Sequence, residues 1–214
     1  MLLQKEVHVT KIINTMKITI CLISSILLIS CSTSKIEKKV VNDFLKNQLI
    51  KSPYIKVVVQ EPLQTLLSLE CYEKAYQDRN IRLGDMIRIR PESNPPFIWP
   101  IDSVGIIKLK EKYKKDTIRQ RWRKNDFQGL KLKLANAKTI RDIKSRLSLR
   151  YFGDEGITFS KPIITADKEF ALLFFKTFTL GKYSTHPMQK TILMENKEGS
   201  WRIKEIYDDP NVIN

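Results

Sequence analysis

Few residues in this chain could carry covalent or acid–base chemistry. Cysteine stands at 21, 31 and 71, and histidine at 8 and 186. A thiol serves as a nucleophile, a metal ligand or an attachment point. Beyond residue 31, however, Cys71 and His186 are one thiol and one imidazole, too few for a zinc set. Ser184 lies two residues from His186. A hydrolytic triad is set by geometry in space and not by neighbours along a loop, so the pair reads as loop residues. The acidic pairs Asp154-Glu155 and Asp208-Asp209 are adjacent, whereas paired glycosidase carboxylates face each other across about 5–10 Å. The chain has 7 glycines, none in a phosphate-cradling arrangement. The expectation is no catalytic residue, no metal and no cofactor.

One strong charge feature remains. From Lys108 to Lys124 nine basic residues (Lys108, Lys110, Lys112, Lys114, Lys115, Arg119, Arg121, Arg123, Lys124) outweigh Glu111 and Asp116. With Tyr113 and Trp122 between them they would suggest nucleic acid in a cytosolic protein. The plain reading is a solvated helix face. The sharper one is contact with anionic lipid or envelope polysaccharide through Lys108, Lys112, Lys115, Arg119 and Arg123. The whole chain carries a formal charge of +15, which draws it toward anionic surfaces.

The compartment decides between those readings, and the first 31 residues specify it. Lys17 is followed by a nearly unbroken apolar run, Ile18 to Ile29. Twelve residues are too few to span a bilayer, which takes about 20. A positive start, a short apolar centre and a small-residue exit form a secretory signal. The exit, Leu28-Ile29-Ser30-Cys31, resembles the lipobox of bacterial lipoproteins. That resemblance implies cleavage after Ser30 and lipid attachment at Cys31, with thioether-linked diacylglycerol and an acylated (palmitate-type) amino terminus. Residues 1–15 make a long lead-in, and a start at Met16 is the simplest account of it. The expected domains are a signal peptide over 1–30, a lipidated tether over 31–35 and a single α+β domain over 36–214. The signal segment holds Lys5, Lys11, Lys17 and Glu6, so +13 of the +15 stays with the exported part. Export removes the nucleic-acid reading and leaves the membrane and envelope polymers as partners, with no protein partner indicated. Placement at the outer membrane facing the periplasm is expected over the inner membrane. Cys71, alone in the body, reads as a buried small hydrophobe.

The elements that position these residues follow from periodicity. Ser34 and Glu37 form a capping box ahead of Ile36, Val40, Val41, Phe44, Leu45 and Leu49, helical spacing over Lys35 to Leu49 that Pro53 ends. Tyr54 to Val59 is a strand. Pro62 opens a second helix carrying Leu63, Leu66, Leu67, Cys71 and Ala75 to about Gln77. Asp78-Arg79-Asn80 breaks the chain, and Ile81 to Ile89 is a strand pair or an irregular crossing. Pro91 to Pro100 is a proline-rich loop whose Phe97, Ile98 and Trp99 pack down on the body or form a lip over a groove. Ser103 caps a third helix with Ile106, Ile107, Leu109 and Tyr113. Leu130, Leu132 and Leu134 alternate as a half-buried strand, and Thr139 to Leu149 is mixed.

The last 58 residues are the clearest. Ile157 to Thr165 is a strand interrupted at Pro162, and Ala166 to Lys168 is a turn. Glu169 to Leu180 is a long strand with Phe170, Leu172, Phe174 and Phe178 on one face and Ala171, Leu173 and Phe175 on the other. Both faces are apolar near its start, the mark of a central strand covered on both sides there. Gly181 to Pro187 is a loop, and Met188 to Glu195 is a strand. Asn196 to Gly199 is a hairpin, and Ser200 to Tyr207 carries Trp201, Ile203 and Tyr207 on one face. The segments Phe159-Ser160-Lys161-Pro162-Ile163, Asp167-Lys168, Ala171-Leu172 and Gly199-Ser200-Trp201 resemble a group of secreted or lipid-anchored Bacteroidota proteins. The resemblance implies an architecture and no activity. Some such proteins bear cysteines in the loop that is Gly181 to Pro187 here, and this chain has none there.

The expected fold is α+β, with amino-terminal helices packed on a carboxy-terminal antiparallel β-meander. A cone-like special case resembling the nuclear-transport-factor superfamily fits that description. The leading function is a non-enzymatic, lipid-anchored envelope module that binds or scaffolds. The alternative is an enzyme or small-ligand binder with a pocket between sheet and helices.

Overall fold

The structure, a computed structural model, describes residues 34–80, 99–114, 120–143, 146–180 and 188–208. The chain divides into two compact units, Met1–Lys38 and Lys39–Asn214. Of the first, only 34–38 are described, and they are helical; all other described residues belong to the second.

Helix α1 (34–51) begins one residue before its expected start. Val40, Val41, Phe44 and Leu45 are fully buried, the inward stripe that 3.6-residue periodicity dictates. Strand β1 (Ile55–Val59) follows. Pro62 does not open the next helix. Leu63 instead forms a parallel bridge to Ser160, its N–H donating to the Phe159 carbonyl at 3.1 Å, and α2 (Leu66–Gln77) starts later. The reason is local: an extended Leu63 finds a partner at the sheet edge that a helical one would forgo. Asp78–Asn80 is a 3-10 turn. Helix α3 (Ser103–Tyr113) is capped by Asp102, one residue before the expected Ser103; the Asp102 carboxylate accepts from the Gly105 N–H at 2.7 Å. A carboxylate at the cap satisfies one of the orphan donors of the first turn.

The middle of the chain supplies a short strand, β2 (Lys133–Ala135), and two short helices, α4 (Ala137–Asp142) and α5 (Arg146–Phe152). Then come β3 (Glu155–Phe159), β4 (Ile163–Ile164), β5 (Phe170–Thr179), β6 (Gln189–Lys197) and β7 (Ser200–Asp208). The seven strands form one sheet in the order β2-β1-β3-β5-β6-β7, with β4 also on β5. The fold is α+β, as the periodicities require. The meander β5-β6-β7 is antiparallel throughout. Strand β1 inserts between β2 and β3, parallel to both, an arrangement that local spacing does not encode.

Strands β3 and β4 are one expected strand, broken at Ser160-Lys161-Pro162. Both lie along the same edge of β5. At the break the buried Ser160 substitutes for a missing rung. Its N–H donates to the Phe174 carbonyl at 2.8 Å, and its hydroxyl accepts from the Phe174 N–H at 3.1 Å. The hairpin after β6 turns on Glu198 and Gly199, both at positive φ (52° and 79°), the pattern of a tight I′ turn.

Strand β7 corrects one expectation. A bulge at Lys204 shifts the register, so Ile203 pairs with Met194 while Tyr207 pairs with Thr191. Met194 and Thr191 lie on opposite faces of β6, because side chains alternate. Trp201 and Ile203 therefore do not share a face with Tyr207. The extra residue flips the parity, and Tyr207 joins the core on the α2–α3 side.

The sheet is covered on both faces. On one, Phe44 of α1 packs its ring against Phe175 (5.1 Å) and Phe159 (6.2 Å), and Trp122 meets Phe159 at 5.0 Å. The buried Asn42 links α1 to residues 126–128, donating to the Asp126 carbonyl and accepting from the Gln128 N–H. On the other face lie two separate groups of helices. Ile106 and Leu109 of α3 and Leu69 and Tyr72 of α2 cluster with Ile163, Leu172, Leu193 and Tyr207. Ile140, Ile143, Leu149 and Phe152 cluster with Val57, Ala135, Phe178 and Leu180.

Candidate functional site

The sheet face that carries both helix groups also carries a polar row. Along β5 the side chains of that face are Phe170, Leu172, Phe174, Lys176 and Phe178. The first two belong to the α2–α3 cluster and Phe178 to the α4–α5 cluster. Phe174 and Lys176 lie between them along the strand. Lys176 pairs with Thr158 of β3 and Gln189 of β6, and Phe174 pairs with Thr191. Directly paired residues share a face. Thr158, Lys176 and Gln189 therefore form a half-buried polar row beside Phe174 and Thr191, which are fully covered.

Two of these groups are left over by the fold. Lys176, half-buried in a central strand, makes no ion pair among the described residues; its Nζ stands 5.5 Å from the Phe174 ring centroid. The hydroxyl of Thr191 is fully buried and has no hydrogen-bond partner among the described residues. A buried polar group normally has a partner, and each exception calls for an explanation. The indole Nε1 of the buried Trp122 likewise has no hydrogen-bond partner among the described residues, whereas Tyr72 and Asp126 are engaged in holding the fold. Tyr72 Oη donates to the Ile101 carbonyl (3.0 Å) and accepts from the Ile101 N–H (3.1 Å), which fixes Trp99 against Tyr72, Tyr76 and Tyr207. The Asp126 carboxylate accepts from the Arg123 N–H at 2.8 Å. The expectation that Trp99 packs the proline-rich loop down holds for Trp99; the rest of that loop lies outside the described residues.

The basic run is not one helix face. Lys108 and Lys112 are exposed on α3, whose last turn ends at Tyr113. Lys115 and Arg119 lie outside the described residues. Arg123 is exposed in the extended segment next to Trp122, and Trp122 packs on Phe159. Phe159 and Phe175 share the α1 face of the sheet, while α3 covers the opposite one. Helix α3 and Trp122 therefore pack on opposite faces of the sheet, and Arg123 is anchored away from Lys108 and Lys112. Of the run's other members, Lys110 pairs with Glu73 and Arg121 with Glu61 (3.2 Å). What α3 does present outward is mixed: Val104 and Ile107 are 53% and 61% exposed beside Lys108 and Lys112.

Cys31, Ser184 and His186 lie outside the described residues. Cys71 is buried on α2, in line with a packing role. Asp154 is exposed, and its carbonyl accepts from the Leu180 N–H; Asp208 pairs with Lys190 at 3.0 Å. Two carboxylates are held below their ordinary range. The Thr165 hydroxyl, then the Glu169 N–H, lowers Asp167 in the turn before β5, and Lys204, then Lys197, lowers Glu195 on β6. Both stabilise local geometry at the sheet margin. Among the described residues no group of three metal-ligating side chains converges, and no helix is long and apolar enough to cross a membrane.

Sequence reasoning found both faces of β5 apolar near its start and gave no role to Lys176, a charge at an in-phase position between Phe174 and Phe178. No family model, curated protein or solved structure matches this chain.

Proposed function

We propose that this chain is a lipid-anchored cell-envelope protein, held at a bacterial membrane through an acylated Cys31, whose α+β domain binds or scaffolds and performs no chemistry of its own. The observation that carries the reading is the segment Leu28-Ile29-Ser30-Cys31 at the end of a twelve-residue apolar run. Two or three acyl chains hold a protein stably at a bilayer, each buried methylene contributing about 0.8 kcal/mol. The outer membrane, periplasmic side, is the proposed address. Exposed Val104, Ile107, Lys108 and Lys112 on α3 support a secondary contact with anionic head groups, where each basic residue adds roughly 1 kcal/mol that salt screens.

One experiment tests both parts. Wild-type and Cys31→Ala chains are labelled with a radioactive fatty acid, and membranes are washed at low and high salt. Wild type should carry label and stay bound throughout. The Cys31→Ala chain should carry none and wash off at high salt, and Lys108→Ala with Lys112→Ala should remove its residual low-salt binding. Label on the Cys31→Ala chain would overturn the anchor, and unchanged binding of the triple variant would overturn the α3 contact.

A second reading, a small-ligand binder or enzyme with its site between sheet and helices, is favoured by Lys176, half-buried beside Thr158 and Gln189 with no ion pair among the described residues. It is compatible with the anchor.

A further inference from the structure

We infer that the corner where α1 and α5 end and β1 and β3 begin is a docking surface for a partner protein, and that the segment it takes is acidic with apolar side chains. The surface gives the partner's chemistry for the proposed binding or scaffolding role, on which it rests, and does not depend on the lipid anchor.

Three stretches of chain meet at this corner. Strands β1 and β3 run parallel with Ile55 beside Glu155, so the residues just before them, Tyr54 and 151–154, enter the sheet side by side. Gly153 lets them approach closely: its φ is +87°, and a Cβ there would collide with the Lys56 side chain. Helix α1 reaches the same place through a tight turn, in which the Ser52 carbonyl accepts from the Ile55 N–H at 3.2 Å. On α5, Leu149 and Phe152 pack inward, so Leu147 and Tyr151, one turn apart, face outward. The corner thereby gathers Ile50 (81% exposed), Leu147 (77%), Tyr54 (65%) and Tyr151 (61%). The first three are the most exposed large apolar side chains among the described residues. Such side chains scattered singly carry no meaning, but gathered in one place they mark an interaction surface.

Charge selects the partner. Beside these residues Lys51, Lys56 and Arg150 are exposed and Lys133 is half-buried, against the exposed Asp154 and the half-buried Glu155. Lys133 Nζ stands 3.9 Å from the Tyr151 ring centroid, which ties a positive charge to the aromatic surface. A basic excess attracts an acidic partner and opposes a second copy of a chain that carries +15. Tyrosine and arginine around an apolar centre are the composition enriched where proteins meet. A bilayer also takes apolar and basic residues together, but the path of α1 disfavours it. The tether joins α1 at its start, on the side where Asp43 accepts from the Trp201 N–H of the edge strand β7 at 3.0 Å. Helix α1 then runs across the sheet to β1, rising about 18 Å from Lys39 to Lys51. Helix α3, the element proposed for lipid contact, clusters with Tyr207 on that same β7 side. The corner is at the other end.

The test introduces photoreactive benzoylphenylalanine singly at 54, 147 or 107 of the full chain and illuminates intact bacterial envelopes. Positions 54 and 147 should give an adduct with one and the same protein, and position 107 should not. The partner peptide attached at 147 should carry more than one carboxylate beside a large apolar side chain. Lys51→Glu with Arg150→Glu should lower the yield at 147 about tenfold, whereas Lys51→Arg with Arg150→Lys should leave it unchanged. If the charge reversal unfolds the chain, Tyr54→Ser, at an exposed position, carries the same comparison and should lower the yield at 147. Lipid adducts at 54 and 147 would make the corner a membrane contact, and adducts with a second copy would make it a self-association surface. A partner segment without carboxylates, a yield unmoved by charge reversal, or no adduct at either position would remove the match. Each of these results overturns the inference. A protein adduct from 107 alone would keep the binding role and overturn this surface. Fatty-acid label at Cys31 is read separately, so the anchor stands or falls on its own.

Discussion

The two helix groups on one face of the sheet are built differently. Helices α2 and α3 have 12 and 11 residues and rest on the start of β5 and the later parts of β6 and β7, where the antiparallel meander pairs long strands. Helices α4 and α5 have 6 and 7 residues and rest on β1 and β2, where pairing is parallel and β2 contributes three residues. Among the described residues the first group encloses nine buried side chains, including Tyr72 with its double hydrogen bond to Ile101, and the second encloses four. Helices of six or seven residues do not persist without tertiary support. On α5, Leu147 and Tyr151 are 77% and 61% exposed. The lesson is that one sheet can carry a stiff end and a lightly held end.

The sharpest way to break this comparison is to remove one buried side chain from each cluster. Leu193→Ala on the stiff side should cost about 3–5 kcal/mol, the upper part of the range for such deletions. Ile143→Ala should cost about 2 kcal/mol, because the lighter group can collapse around the loss. Denaturant unfolding measures both, and hydrogen exchange locates them. Leu193→Ala should raise exchange throughout the sheet, and Ile143→Ala chiefly over residues 133–152. Equal losses, or global exchange from Ile143→Ala, would dissolve the distinction.

A smaller effect tests how the lighter end is seated. Gly156 lies under the Phe178 ring, and a Cβ there would collide with that ring and come within 2.8 Å of Val57 Cγ1. Gly156→Ala should cost about 1–3 kcal/mol, the usual range for overpacking. Phe178→Leu in the same chain should recover part of that cost. Additive losses would mean that the ring contact is not what excludes a side chain at 156.

The smallest effect is electrostatic and belongs to the stiff end. Glu195 pairs with Lys204 (2.8 Å) and Lys197 (2.9 Å), which lower its carboxyl below the usual value. A carboxylate that is more acidic when folded adds stability above its unfolded pKa, and that contribution is lost as pH falls through the folded pKa. Glu195→Gln should therefore be less stable than wild type by under about 1 kcal/mol at neutral pH, the scale of surface pairs. The gap should close on acidification below the ordinary carboxylate range. A difference that persists at low pH would assign the effect to packing.

Much of the fold was legible because its periodicities are local. The stripe of Val40, Val41, Phe44 and Leu45 fixed α1, the two apolar faces of 170–175 made β5 central, and Glu198-Gly199 marked the hairpin. Three features were not legible. Leu63 falls in with helical spacing yet pairs with Ser160, because a distant strand edge overrode local propensity. Tyr207 changed faces because a bulge at Lys204 depends on which residue of β6 it meets. The basic run was continuous in sequence but was divided by the path of the chain, with Lys108 and Lys112 on α3 and Arg123 beside Trp122.

By itself the amino-acid order determined the α+β class and the meander, since each rests on residues within a few positions of one another. Only the tertiary structure decided that β1 runs parallel between β2 and β3, and that Thr158, Lys176, Gln189 and Thr191 share one face of the sheet. Those relations join residues from separate strands, and strand pairing is settled by the burial of both sheet faces together.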